Sequence, residues 1–201
     1  MVFEVRGIAS LLRIENAVNY DERLPMTDSG TEHYDISVVR PAIVHDQIAL
    51  RGRELSLPAR AKVKKALRTF HSLEIMAVNT YRFQITGQVD PLNRELIAAM
   101  CNEMTHVQDF AVKLYEYGMT PSLFRWAWWL VGFGIGFGSR LLGRKAILKT
   151  GIFVETKAVH HYAELLDGAD WDDVTRHMIE KDQADEDGHI RTWSRLLSDL
   201  S

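Results

Sequence analysis

The chain has 201 residues, 46% hydrophobic and 25% charged. That excludes disordered and fibrous classes and sets the size at one domain, with at most an appendage. The net charge of −3 argues against nucleic acid as a partner, and the single Cys101 excludes an intrachain disulfide, a cysteine-only zinc site and a CxxC redox pair.

The averages hide one anomaly. From 117 to 154 there is no acidic residue, while Arg125, Arg140, Arg144, Lys145 and Lys149 make the block +5 and leave the remainder at −8. The block also holds Trp126, Trp128 and Trp129 and seven of the thirteen glycines.

In chain order, Glu4, Arg6 and the short apolar run from Ile8 to Leu12 do not fit a signal peptide, and Glu15, Asp21 and Glu22 weaken a transit-peptide reading. Residues 1–58 read as an N-terminal arm, partly irregular, punctuated by Pro25, Gly30, Pro41 and Pro58. Residues 59–201 read as a helical bundle. Its first helix runs from Pro58 towards Gly87, with Val63, Leu67, Phe70, Leu73, Ala77, Val78 and Tyr81 at helical spacing. The second spans 91–117 with Leu96, Met100, Val107, Phe110 and Leu114 inward, closed by Gly118 and Pro121. The third spans about 144–166, and Asp170 reads as the N-cap of the last, about 171–200. Four such helices with short turns argue for an all-α four-helix bundle; no internal repeat and no strand pattern is evident.

Acidic residues occupy the apolar stripes. Glu103 and His106 lie three apart on the second helix, between Met100 and Phe110; Glu186 and His189 repeat the spacing on the last, on a face carrying Val174, Met178, Trp193 and Leu196. Glu74 and Glu155 sit on the inward stripes of the other two helices. Each uncompensated buried charge costs several kcal/mol, so four require cations among them. A single Glu-x-x-His is usually a solvated face. Two of them on apolar stripes, with one inward Glu on each remaining helix, match the known ligand rule of di-iron and di-manganese carboxylate bundles. The metal ligands expected are therefore Glu74, Glu103, His106, Glu155, Glu186 and His189, for iron or manganese.

Leu123 to Gly138 is apolar except for Arg125, yet shorter than a membrane span, and Gly132, Gly134, Gly136 and Gly138 weaken a rigid helix. The hydrophobic element 121–143 is read as interfacial, with Trp126, Trp128, Trp129, Phe133 and Phe137 at a membrane surface or on a lipid access route. The alternatives are a crossover packed in the bundle or a dimer interface. Asp182 and Asp185 orient His106 or His189, or are exposed helix charges; Cys101 reads as a buried thiol.

The run "GFGIGFGSRLLGRKAILKTGIFVETKAVHHY" resembles the central part of the demethoxyubiquinone hydroxylase family, and similarity extends over about 70–197. "FHSLE", "NEMTH", "VETKAVHHY" and "DEDGH" match the family's motifs and fill all six ligand positions. His161 and Tyr162 match residues the family keeps beside its site, for second-layer hydrogen bonding or proton and electron transfer. The resemblance implies a ferritin-like di-iron monooxygenase, peripheral on a membrane, hydroxylating the ring of a polyprenyl quinone in ubiquinone biosynthesis. It implies two iron ions, O2 as co-substrate and NADH as reductant, with a lipid-binding biosynthetic partner and a homo-oligomer as candidate partners. The location implied is the cytoplasmic face of a bacterial inner membrane rather than the mitochondrial matrix face. The competing readings are a rubrerythrin-like iron-handling or peroxide-scavenging protein, an alternative-oxidase-like quinol oxidase and a non-catalytic lipid-binding bundle. Only twelve residues follow His189, where family members usually continue into another apolar helix.

Overall fold

A computed structural model describes residues 48–87 and 89–200. The expectations for the N-terminal arm lie mostly outside the described residues. Among the described residues there are five helices: α1 (Leu57–Gln84), α2 (Pro91–Glu116), α3 (Arg125–Leu141), α4 (Arg144–Gly168) and α5 (Asp173–Ser198).

Local chemistry sets most boundaries. Ser56 caps α1 by accepting from the Ala59 amide, and Pro58 occupies its first turn, where no amide donor is needed. Asp90 caps α2 through the Asn93 amide, and α2 ends at Gly118, whose φ of +63° suits glycine. Asp172, not Asp170, caps α5, accepting from the Thr175 amide. The reason is Trp171: its buried indole donates to the Leu165 carbonyl and packs in the core, which holds the chain extended until Asp172.

Helices α1 and α2 form an antiparallel hairpin, as do α4 and α5, and the hairpins pack into a four-helix bundle. Helix α3 is the crossover between them. It runs parallel to α1, since Gly132 abuts Met76 and Gly136 abuts Thr80. A Cβ at either glycine would lie 2.3 Å from a carbonyl oxygen of α1, whereas Gly134 and Gly138 face open space. The glycines expected to weaken a helix are thus split, and one pair lets two helices meet at backbone distance. That packing outweighs the propensity cost. The α3 face turned away from α1 exposes Trp126, Leu130, Val131 and Leu141, and Leu123 and Phe124 just before the helix are exposed too. Trp129, Phe133 and Phe137 stack in a row at four-residue spacing, with Phe83 edge-on to the first two.

The apolar core is in two parts. One gathers Val63, Leu67, Phe70, Phe110, Leu114, Tyr162, Trp171 and Ile179; the other gathers Tyr81, Leu92, Leu96, Ile147, Leu148 and Trp193. Polar side chains fill the space between. On α5 the buried register is Thr175, Ile179, Asp182, Glu186 and Trp193, while Val174, expected inward, is exposed. Cys101, expected buried, is exposed as well, because the face of α2 is fixed by Glu103 and His106.

At one end of the bundle, Arg51 ties the chain preceding α1 to the α2–α5 end. Its guanidinium donates to Glu116 (2.8 Å) and Asp172 (2.6 Å), and its amide donates to the Glu116 carbonyl.

Candidate metal centre

Each helix of the bundle contributes where its stripe crosses the gap between the two cores. Helix α1 brings Glu74, α2 brings Glu103 and His106, α4 brings Glu155, and α5 brings Glu186 and His189. Five of these are buried, and His189 keeps slight exposure.

The side chains form two lobes. In the first, His106 Nδ1 lies 3.1 Å from Glu186 Oε1, 3.4 Å from Glu103 Oε2 and 3.9 Å from Glu74 Oε2. In the second, His189 Nδ1 lies 3.2 Å from both Glu103 Oε1 and Glu186 Oε2, and 3.9 Å from Glu155 Oε1. In each lobe one atom per residue falls within a sphere of ligand-donor dimensions. Glu103 and Glu186 therefore turn one oxygen to each lobe, while Glu74 and Glu155 each serve one. The Glu-x-x-His spacing explains this: a one-turn step sets each carboxylate beside its own imidazole and also at the bundle axis.

The electrostatics are those of a crowded anionic cavity. Burial, reinforced by the charge of Glu103, pushes Glu74 well above the usual carboxylate range; burial and the charge of Glu186 do the same to Glu155. Burial also opposes ionisation of Glu103, but the imidazoles of His106 and His189 beside it prevail and hold its carboxyl low. Burial disfavours charge on both imidazoles. The carboxylates around them outweigh it, raising His106 well above its ordinary value and His189 to about 9. The cavity thus draws in positive charge as protons wherever it can. Both Glu103 oxygens, His106 Nδ1 and Glu186 Oε1 are buried without a hydrogen-bond partner. Buried polar atoms are seldom left so, and a set of four carboxylates with two imidazoles fits two divalent cations of the iron or manganese type.

A second layer surrounds the cluster. His106 Nε2 lies 3.2 Å from Asp185 Oδ2 and 3.8 Å from Asp182 Oδ1, and Asn102 and Lys181 hold these acids in turn. The hydrogen bond with His106 keeps Asp185 at about 2, while burial lifts Asp182 to about 7. Asp185 is within hydrogen-bond distance of His106, as the first of the two alternatives open from sequence expects, while Asp182 is buried beside it; such partners fix tautomer and ring orientation in metal-binding histidines. Tyr162 donates to Glu74 Oε1 at 2.8 Å, on the opposite helix rather than to its own Glu155. His161 is not brought to the cluster: it is half-exposed beside Glu164, because one step along α4 from Tyr162 turns it to solvent.

Sequence reasoning missed Tyr81, which donates to Glu155 Oε1, and Trp193, whose indole donates to Tyr81. A signal existed. Tyr81 follows Glu74 by seven residues just as Tyr162 follows Glu155, so each tyrosine returns to the face of its helix's glutamate.

Trp126, Trp128, Trp129, Phe133 and Phe137 all lie on α3, outside the cluster. Helix α3 is an ordered helix of 17 residues, and no helix among the described residues is long and apolar enough to cross a membrane.

The chain is similar to curated proteins from distant organisms. It is 28% identical over 136 residues to a protein of Dictyostelium discoideum named NADPH-dependent 3-demethoxyubiquinone 3-hydroxylase, mitochondrial, covering 65% of this chain and 63% of that one. The Homo sapiens protein of the same name is 27% identical over 116 residues, 55% of this chain and 52% of its own length. A 3-demethoxyubiquinol 3-hydroxylase of Cupriavidus metallidurans is 27% identical over 146 residues, 72% of this chain and 70% of that one. The chain thus spans between about half and just under two thirds of the eukaryotic relatives. The six-residue cluster lies wholly within residues 61–195, the stretch matched by the family model described as "Ubiquinone biosynthesis protein COQ7", and the chain belongs to that family.

Proposed function

We propose that Glu74, Glu103, His106, Glu155, Glu186 and His189 hold two iron ions, and that the chain hydroxylates the ring of a demethoxyubiquinone-type polyprenyl quinone. The carrying observation is the two-lobed cluster, in which Glu103 and Glu186 each turn one oxygen to either lobe. Bound iron supplies the activation of O2, from which one oxygen atom goes to the ring and one to water.

The chain's own groups do the rest. Glu103 and Glu186 fix the separation of the lobes. Asp185 accepts from His106 Nε2 and keeps Nδ1 turned to the cluster. Tyr81 and Tyr162 each commit one oxygen of Glu155 and Glu74. The two apolar cores on either side exclude bulk water, which strengthens every charge interaction within.

The exposed aromatic face of α3 supports a peripheral membrane location, with Arg125, Arg140, Arg144 and Lys145 set for anionic headgroups. Such a surface gives access to a substrate whose tail resides in the bilayer. The side we propose is the cytoplasmic face of a bacterial inner membrane. A lipid-binding protein or a second copy of the chain is the further partner proposed for this face. The reductant is a reduced nicotinamide: the eukaryotic relatives' names carry NADPH, whereas the motif resemblance alone suggests NADH.

The test joins metal analysis to quinone profiling. After anaerobic reconstitution, wild type should hold about two iron ions per chain. A deletion strain should accumulate the demethoxy quinone and recover on complementation with wild type but not with Glu155→Ala. Oxygen consumed to water with the ring unchanged is the outcome of a quinol oxidase. Iron uptake without any quinone phenotype is that of an iron-handling protein. Either would overturn the assignment.

A further inference from the structure

Gly151 lies on α4, one turn before Glu155. A Cβ there would stand 2.9 Å from Cδ1 and 3.0 Å from Nε1 of Trp193, too close for any real side chain. The absence of that Cβ lets the indole of α5 lie directly against α4. Trp193 and Tyr81 are both almost wholly buried, with ring centroids 5.5 Å apart.

The direction of the hydrogen bonds in this corner follows from the indole and an ionised Glu155. An indole N–H can donate but not accept. Trp193 Nε1 lies 3.1 Å from the Tyr81 hydroxyl, so that oxygen is the acceptor. The hydroxyl carries one proton, which it gives to Glu155 Oε1. With Glu155 ionised, as a metal ligand is, the chain runs one way, from Trp193 to Tyr81 to Glu155. The counterpart differs. Tyr162 donates to Glu74 Oε1, but among the described residues nothing donates in turn to the Tyr162 hydroxyl.

We propose that Trp193 is a positioning residue for Glu155: lodged in the gap left by Gly151, its indole N–H holds the Tyr81 hydroxyl as a one-way donor and preorganises the Glu155 lobe over the Glu74 lobe. This rests on the reading that the six residues hold two metal ions. It adds that the two ions meet unequal sites, although the donor atoms facing them are alike.

The experiment is a cobalt(II) titration of the metal-free protein, followed by visible absorption under anaerobic conditions. Wild type should take up two equivalents in two resolved steps, and Glu155→Ala should remove the tighter. Trp193→Phe keeps the ring and removes the N–H; Tyr81→Phe removes the donor itself. Each should weaken the tighter step by about tenfold and leave the other unmoved. The double variant should bind no more weakly than Tyr81→Phe alone, because the Trp193 N–H reaches Glu155 only through the Tyr81 hydroxyl. A general loss of packing would move both steps and add between the variants.

Gly151→Ala supplies the same test without altering a hydrogen-bonding group, and serves if Trp193→Phe fails to fold. It should also weaken only the tighter step. Wild-type titration by Trp193→Phe or Gly151→Ala, or additive losses in the double variant, overturns the positioning role while leaving the metal reading intact. Wild type that binds no cobalt overturns both.

Discussion

At the residue scale, the cluster predicts a hierarchy among its carboxylates. Glu103 and Glu186 face both lobes, whereas Glu74 and Glu155 face one each. Iron per chain should fall from about two to about one in Glu74→Ala and towards none in Glu103→Ala, as measured by elemental analysis after reconstitution. Equal losses in all four would refute the shared role. The pKa directions give a second expectation, for the metal-free protein. Glu74 and Glu155 are raised, so folding keeps protons that the unfolded chain releases above its ordinary carboxylate range. His106 is raised too, and His189 reaches about 9, so their stabilisation is complete below the unfolded value near 6.5 and is lost as pH rises through the folded one. Both contributions have the same sign. The thermal midpoint of metal-free protein should fall steadily between about pH 5 and pH 9, and divalent metal should flatten that slope. A midpoint that rises over this window is the opposite of what these shifts require.

At the element scale, α3 shows how spacing was read and what it concealed. Four glycines at two-residue spacing suggested a weak helix, but a helix sorts them onto two faces. Gly132 and Gly136 meet α1 carbonyls, and Gly134 and Gly138 meet nothing. Gly132→Ala or Gly136→Ala should therefore cost about 1–3 kcal/mol by overpacking, while Gly134→Ala should be neutral or stabilise by up to about 1 kcal/mol through helix propensity. Thermal melts of the three variants side by side check this, and equal effects would mean that α3 does not pack as described. The same kind of sorting misplaced Val174 and Cys101. Both are apolar residues, but the register of each helix is dictated by the acids it must bring to the axis.

At the scale of the whole molecule, charge and grease lie in separate places. Six acidic residues, among them the four cluster glutamates, are buried in the bundle, while the acid-free block forms the exposed face of α3 and the start of α4. Replacing Trp126 and Trp128 with Glu should reduce co-sedimentation with vesicles containing anionic lipid by about tenfold and leave iron content unchanged. Unaltered vesicle binding would remove the membrane role from this face. The molecule also carries a symmetry that the sequence does not display as a repeat. Each hairpin supplies a glutamate, a tyrosine seven residues later and a Glu-x-x-His, and each tyrosine bonds to the other hairpin's glutamate. The recurrence is confined to the positions that bear chemistry, because intervening residues need only match their local neighbours in the core.

The sequence by itself determined four bundle helices, most of their inward faces and the six residues that converge. Helical period and the cost of burying charge leave few alternatives, and both are local properties. It did not determine which oxygen faces which lobe, that Tyr162 serves Glu74 rather than Glu155, that His161 turns to solvent, or that Gly151 makes room for Trp193. Those depend on how separate helices are rotated and spaced against one another. That relation is set by close packing between residues more than a hundred positions apart, as Tyr81 and Trp193 are, and no local pattern encodes it.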